Sequence, residues 1–334
     1  MTYIQLPDTI RRPLAFYLAM EEYVARNLDF DDAFFMWQVE PTVIFGRNQL
    51  ISNEVNLDYC RHHGIATYRR KSGGGCVYAD MGNVMLSYVT SDTNVGMTFN
   101  RYINLVTLAL VRMGIDARAT GRNDILIGGR KVSGNAFYHL KNKSIVHGTL
   151  LYDTNMENME HSLTPSTPKL ASKGVASVRQ HIALLKDYTP LTLAQVMEHI
   201  RSTVCGSEFT LPTDAITKIS EMEQEYRSDE FIWGSNPSYT TVCRSRVEGV
   251  GDLEARLVMK NGKIRSANLL GDYFLLGDLE SSILRPLRGA TLERESLEAA
   301  LSPDLSTTIM GLSRAHLIDL LLHHQDTTPS HQSN

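Results

Sequence analysis

The stretch that most restricts how this chain can fold is RRKSGGGCVYAD, residues 69–80, where two arginines, a lysine and a serine run into three glycines and then a short apolar segment. Glycine inside a strand or helix costs about 0.5–1 kcal/mol relative to alanine, so three in succession mark an interruption of regular structure. A plain turn would use them to reach positive φ. Close approach by a ligand would use them differently. Without Cβ atoms, successive backbone N–H groups can converge on a phosphate oxygen, and Arg69, Arg70 and Lys71 would supply the opposite charge. Neither common nucleotide fingerprint is present. A P-loop has four residues between its glycines and then Gly-Lys-Ser/Thr, and the dinucleotide fingerprint opens a helix, whereas Cys76, Val77 and Tyr78 favour a strand. A phosphate site here therefore belongs to a different fold.

Its 334 residues allow one large domain with a small companion, or two of middling size. With 43% hydrophobic and 21% charged residues the chain has the composition of an ordinary globular protein, and no apolar run reaches the length of a membrane span. The start, MTYIQLPDTIRRP, has no basic segment followed by an apolar one, which predicts a cytoplasmic protein. A net charge of −4 gives no overall attraction for nucleic acid or an anionic membrane, so an anion site must be a local cluster. Cys60, Cys76, Cys205 and Cys243 are scattered without zinc-ligand spacing, which predicts free thiols.

Patterning predicts a helix after Pro13, with Leu14, Tyr17, Leu18, Glu21, Val24 and Leu28 near one face. AFFMWQV, PTVIFGRN, IATYRR, CVYAD and NVMLSYV read as strands, and SNEVNLDYCRHHG as a helix capped by Ser52 or Asn53 and stopped at Gly64. Thr98 is placed to cap a helix ended by Gly114. DILIGG, RKVSGNAFYHL and SIVHGTLLYD follow as an antiparallel meander. Thr192 with Gln195 makes a capping box, and TDAITKISEMEQEY is amphipathic. Turn formers accumulate after residue 227, placing a domain boundary near 240. Beyond it, DLEARLVMK, the hairpin pair Asn261-Gly262 and KIRSANLL predict a small sheet closed by two or three helices, with QDTTPSHQSN as a frayed tail.

A second polar cluster, GRNDILIGGRKVSGNAFYH, carries Arg122, Asn123, Asp124, Arg130 and Lys131, and a third, VHGTLLYD, carries His147. In the predicted meander, Lys131 and residues 147–149 lie on hairpin partners in one sheet. Singly, each has a plain explanation: Arg122 and Asp124 as a surface ion pair, Lys131 as a solvated strand lysine, His147 as a satisfied core histidine. Jointly they differ. Glycines adjoin arginines, an Asn-Asp pair or a lysine in three strand-rich segments, as a site cradling a polyanion requires.

PTVIFGRNQ, RRKSGGGCVYADMGN, GRNDILIGGRKVSGNA, HGTLLYD and SKGVASVR occur in that order over residues 41–180, and through them the chain closely resembles the lipoate-protein ligases, relatives of the biotin protein ligases. The region after 240, with GDLEARLVMKNGKIRSANLLGDYF, is similar to that family's remaining part. The resemblance implies an α+β fold. A mixed, largely antiparallel sheet with flanking helices, like biotinyl ligases and class II synthetases, would be followed by a small C-terminal α+β domain. Residues 1–240 would be catalytic, 245–325 accessory and 326–334 a disordered tail.

By the same resemblance, Arg70, Gly75, Cys76, Val77, Tyr78, Asn123 and Asp124 match positions around ATP, and Lys131 matches the lysine that touches both ATP and lipoate. Ser72, Gly73, Gly74, Ser133, Gly134, His147, Gly148 and Thr149, with Arg70 and Lys131, match the lipoate side, and Asp124 is the candidate for Mg²⁺. The implied reaction has two steps. Lipoate attacks the α-phosphate of ATP to give lipoyl-adenylate and pyrophosphate, and a lysine ε-amine on an acceptor domain then takes the acyl group. Implied acceptors are the lipoyl domains of 2-oxoacid dehydrogenase E2 subunits and the glycine cleavage H protein. Lys131 and Arg70 would stabilise charge on the transferring groups. The sequence departs from the family at Tyr78-Ala79-Asp80, where Tyr-His-Asp or Phe-His-Asp is usual. Two other readings are weighed. An octanoyl or lipoyl transferase working without ATP would in its common octanoyl form need a cysteine, yet none lies between His147 and Leu185, and Cys76 is in the nucleotide-facing stretch. Intact polar residues at most motif positions argue against an inactive lipoate-binding homologue.

Overall fold

The computed structural model describes residues 1–120, 123–140, 142–164, 178–234, 239–322 and 324–325. Its strands in the first two-thirds of the chain are β1 (Thr2–Gln5), β2 (Asp32–Trp37), β3 (Thr42–Phe45), β4 (Ala66–Arg69), β5 (Val77–Ala79), β6 (Asn83–Thr90), β7 (Ala117–Ala119), β8 (Asp124–Ile127), β9 (Arg130–Leu140), β10 (Lys143–Leu151) and β11 (Ser207–Thr210). Among the described residues eight of these form one mixed sheet in the order β11-β1-β2-β6-β10-β9-β8-β7. Within it β1 runs parallel to β11 and to β2; the other pairings are antiparallel, including the expected β8-β9-β10 meander. A small sheet, β4-β3-β5, carries the strands on either side of the glycine triplet.

Both faces of the large sheet are covered, so β6 is buried at all its positions. One cover is the helix Leu14–Asn27, buried continuously from Leu14 to Ala25 and packed with the helix Thr213–Arg227. An all-round buried helix matches its sequence, LAFYLAMEEYVARN, in which the only charges before Arg26 are Glu21 and Glu22. The other cover is the helix Val95–Arg112, which touches β10 and β8. This helix starts a turn earlier than expected. Asn94, not Thr98, is the cap: its side chain accepts from the Met97 N–H, while Thr98 lies inside and donates its hydroxyl to the Asp92 carbonyl. Asparagine is at least as good a cap as threonine, and taking it adds a turn of backbone bonds. The end is as expected, at Gly114 with φ of 82°. The capping box of Thr192 and Gln195 is present.

By packing the chain divides into two units. The first comprises Met1–Phe45, Glu54–Arg70 and Cys76–Ile232; the second takes Gly46–Asn53, Lys71–Gly75 and the chain from Trp233 onward. In the second unit β12 (Thr241–Val247), β13 (Gly251–Lys260) and β14 (Lys263–Gly271) form an antiparallel sheet, joined by the short strand His324–Gln325, which pairs with β12. The β13–β14 turn is the expected Asn261-Gly262 pair, both at positive φ, 53° and 73°. Leu257, Ile283, Leu297, Leu317 and Leu321 are among the core residues of this unit, contributed by the strands and the helical segments after them. The expected tail, 326–334, lies outside the described residues.

Candidate functional site

Antiparallel partners share a sheet face, so register alone places several candidate residues together. Asp124 on β8 stands opposite Gly134 on β9, Gly134 opposite Thr149 on β10, Thr149 opposite Met85 on β6, and Met85 opposite Trp37 on β2. The neighbouring row on the same face is Ala136, His147, Ser87 and Phe35. At the β8 end, Lys131 Nζ lies 2.8 Å from Asp124 Oδ1. A Cβ on Gly134 would be 2.4 Å from that Nζ and 2.5 Å from Cε, so the lysine chain lies back across Gly134. The Lys-x-x-Gly spacing thus has a geometric reason: the glycine leaves the space that the lysine fills.

The alternate positions serve the other face. A Cβ on Gly148 would be 1.8 Å from Asn135 Oδ1, and Ser133 donates its hydroxyl to that same oxygen at 3.3 Å. Asn135 in turn donates Nδ2 to the Asn123 carbonyl at 2.9 Å. Ser133 and Gly148 therefore do not share the Lys131 face; with Asn135 they hold the backbone of Asn123, next to Asp124. Gly121, Arg122 and most of the SKGVASVR motif, residues 172–177, lie outside the described residues.

At the β2 end a buried polar chain stands among apolar groups. Trp37 Nε1 donates to Ser87 Oγ at 2.9 Å, Ser87 donates to Glu21 Oε1 at 2.6 Å, and His147 Nδ1 is 2.9 Å from Glu21 Oε2. Glu21 is fully buried, and these bonds compensate its desolvation. Tyr17 stacks on Trp37 with ring centroids 4.8 Å apart. Ala79, also fully buried, belongs to the same apolar cluster, so a methyl group stands where the family pattern has histidine. Glu21, Ser87 and Trp37 were not among the expected site residues. The available signal was a charged residue on the apolar face of the first helix.

Arg69 and Arg70 are both buried, 2% and 5% exposed, and both donate to backbone carbonyls; Arg69, whose guanidinium is taken up by two carbonyls and a ring, does not serve as the phosphate-facing charge expected of it. Its Nε donates to the Phe231 and Ile232 carbonyls, both at 3.0 Å, Nη2 donates to Ile232 at 2.8 Å, and the guanidinium sits 4.6 Å over the Phe45 ring. Burial pushes its pKa down to about 10. Arg70 donates Nη1 to the Ile44 carbonyl at 3.1 Å. Tyr78 is buried and accepts from Asn158 Nδ2 at 3.3 Å, while Cys76 and Val77 are half-buried.

Ser72, Gly73, Gly74 and Gly75 pack with the second unit. The Gly74 N–H donates to the Tyr273 carbonyl at 3.2 Å, and a Cβ on Gly73 would stand 2.3 Å from that same oxygen. The close approach that these glycines permit is made here by the protein's own backbone. Among the described residues no group of three or more His, Cys, Asp or Glu side chains could hold a metal ion. No described helix is long and apolar enough to cross a membrane.

The model of the lipoyl protein ligase A/B catalytic domain matches residues 13–204, and that of the bacterial lipoate protein ligase C-terminus matches 236–321. Lipoate–protein ligase 1 of Staphylococcus aureus is 34% identical over 314 residues, covering 91% of this chain and 95% of its own. A crystal structure of P. falciparum LipL1 in complex with lipoate superposes with a TM-score of 0.74 at 18% identity, covering 96% of this chain and 98% of its own. A lipoate-protein ligase A structure bound with ATP gives 0.60 at 24% identity, covering 70% and 99%.

Proposed function

The chain belongs to the lipoyl protein ligase A/B family, and from that premise we propose that it activates free lipoate with ATP and passes the lipoyl group to a lysine of an acceptor protein. In this reading residues 1–240 are catalytic, 245–325 accessory, and the protein works in the cytoplasm on lipoyl domains of 2-oxoacid dehydrogenase E2 subunits and the glycine cleavage H protein. The observation that carries it is Lys131, whose ammonium rests on Asp124 at one end of a sheet-face row that continues through Gly134, Thr149 and Met85 to Trp37. A cation held at that end matches a molecule with a carboxylate head.

A free carboxylate is a poor acyl donor until one oxygen becomes part of a good leaving group. In the proposed first step the lipoate carboxylate attacks the α-phosphate and pyrophosphate leaves; in the second the acceptor ε-amine attacks the acyl carbonyl and AMP leaves. Lys131 and Arg70 would stabilise developing charge and orient the reacting groups, which needs no protein nucleophile. Lys131 must exchange Asp124 for substrate to do so. On the Lys131 face Gly134, His147 and Thr149 complete the proposed lipoate side, with Ser133 and Gly148 behind them on the other face of the sheet, and Cys76, Val77, Tyr78, Asn123 and Asp124 the nucleotide side.

Mg²⁺ usually takes one or two protein carboxylates together with substrate phosphates, and the Asp124 carboxylate fits that pattern. When bound it would neutralise phosphate charge. The test of function is pyrophosphate release that requires both ATP and lipoate, followed by a lipoyl mass increase on an acceptor domain. Pyrophosphate release independent of lipoate, or none, would sink the reading.

A further inference from the structure

Burying a guanidinium is costly unless its donors are satisfied, and an apolar side chain would fill the Arg69 position more cheaply. Arg69 is nonetheless buried, its fork spans two carbonyls at the end of the short helix Asp229–Trp233, and its face covers Phe45. A cation suits a helix C-terminus and an aromatic face. These contacts hold the last residue of β4 on two sides. The next residue, Arg70, is tied to β3 by its N–H on the Phe45 carbonyl at 3.0 Å and its Nη1 on Ile44.

We propose that Arg69 is a positioning residue for the nucleotide side of the site: clamped between Phe45 and the Phe231 and Ile232 carbonyls, it fixes the end of β4 and thereby the direction of Arg70. This rests on the reading of Arg70 as a nucleotide contact. Arg69 touches no substrate itself. Lysine at this position keeps the charge but loses the planar fork.

The experiment measures ATP dissociation constants by equilibrium dialysis, and the ATP KM and kcat of lipoate-dependent pyrophosphate release, for the full chain and for R69K, R70A and R69K/R70A. Thermal unfolding of each reports folding. R69K is expected to weaken ATP binding at least tenfold, with KM rising more than kcat falls, and to change it less than twofold when Arg70 is already alanine. A folded R69K with unaltered ATP binding, or the same weakening in both backgrounds, overturns the proposal, since a merely structural role would not depend on Arg70. Should R69K fail to fold, F45L removes the ring under the guanidinium at little cost in apolar volume. It is expected to weaken ATP binding several-fold, and unchanged binding in folded F45L overturns the proposal. A wild-type protein that binds ATP but never releases pyrophosphate with lipoate would end the ligase reading and leave the dialysis comparison intact.

Discussion

A Cβ on Gly73 would stand 2.3 Å from a backbone oxygen, that of Tyr273, whereas one on Gly134 would stand 2.4 Å from the end of a side chain, the Lys131 ammonium. The two distances are nearly equal but their consequences are not. A backbone oxygen held in packed structure cannot yield cheaply, while a lysine chain can swing away. Gly73 thus protects the packing of the loop in the second unit, and Gly134 sets where the candidate catalytic lysine rests. Similar glycine-and-cation motifs in the sequence have become a structural contact in one region and a side-chain cradle in the other.

The largest effect is expected at the group that Gly134 cradles. Lys131→Ala should lower lipoate-dependent pyrophosphate release by about 10²–10³, the usual cost of losing a preorganised donor, with folding preserved. Near-wild-type turnover in this variant would remove the functional half of the contrast. Gly73→Ala should come next, lowering stability by about 1–3 kcal/mol in denaturant titration as the loop shifts from Tyr273.

Gly134→Ala sharpens the contrast directly. It should reduce pyrophosphate release about tenfold, a barrier change of about 1.4 kcal/mol, while its unfolding midpoint stays near that of the wild type. A stability loss equal to that of Gly73→Ala, with activity intact, would show that the two glycines do the same job. The smallest effect is expected from Cys76→Ser. Cys76 is half-buried and no thioester is proposed, so turnover should persist, and an acyl adduct on Cys76 by intact-mass analysis would contradict the mechanism.

Much of the fold was legible because its signals are local. The meander, the capping box at Thr192 and the Asn261-Gly262 turn each rest on residues adjacent or nearly so in the chain. The short strands β1, β7 and β11 were missed, since three or four residues carry too little periodicity to stand out. The helix start at Asn94 was misplaced by a turn because two good capping residues lie four positions apart. Lys131, Asp124 and His147 were found as motif residues, and register accounts for their common face. Glu21 was not, because its partner His147 is 126 positions away.

By itself the sequence determined the kinds of element and the places where glycine interrupts them, because these follow from backbone sterics and side-chain chemistry within a few residues. Only the tertiary structure decided what approaches each glycine, that Arg69 turns inward while Arg70 reaches to Ile44, and that Glu21 meets Ser87 and His147 beneath the first helix. Those outcomes depend on which distant segments pack together, and a buried charge or an empty Cβ position takes its meaning from the partner that packing supplies.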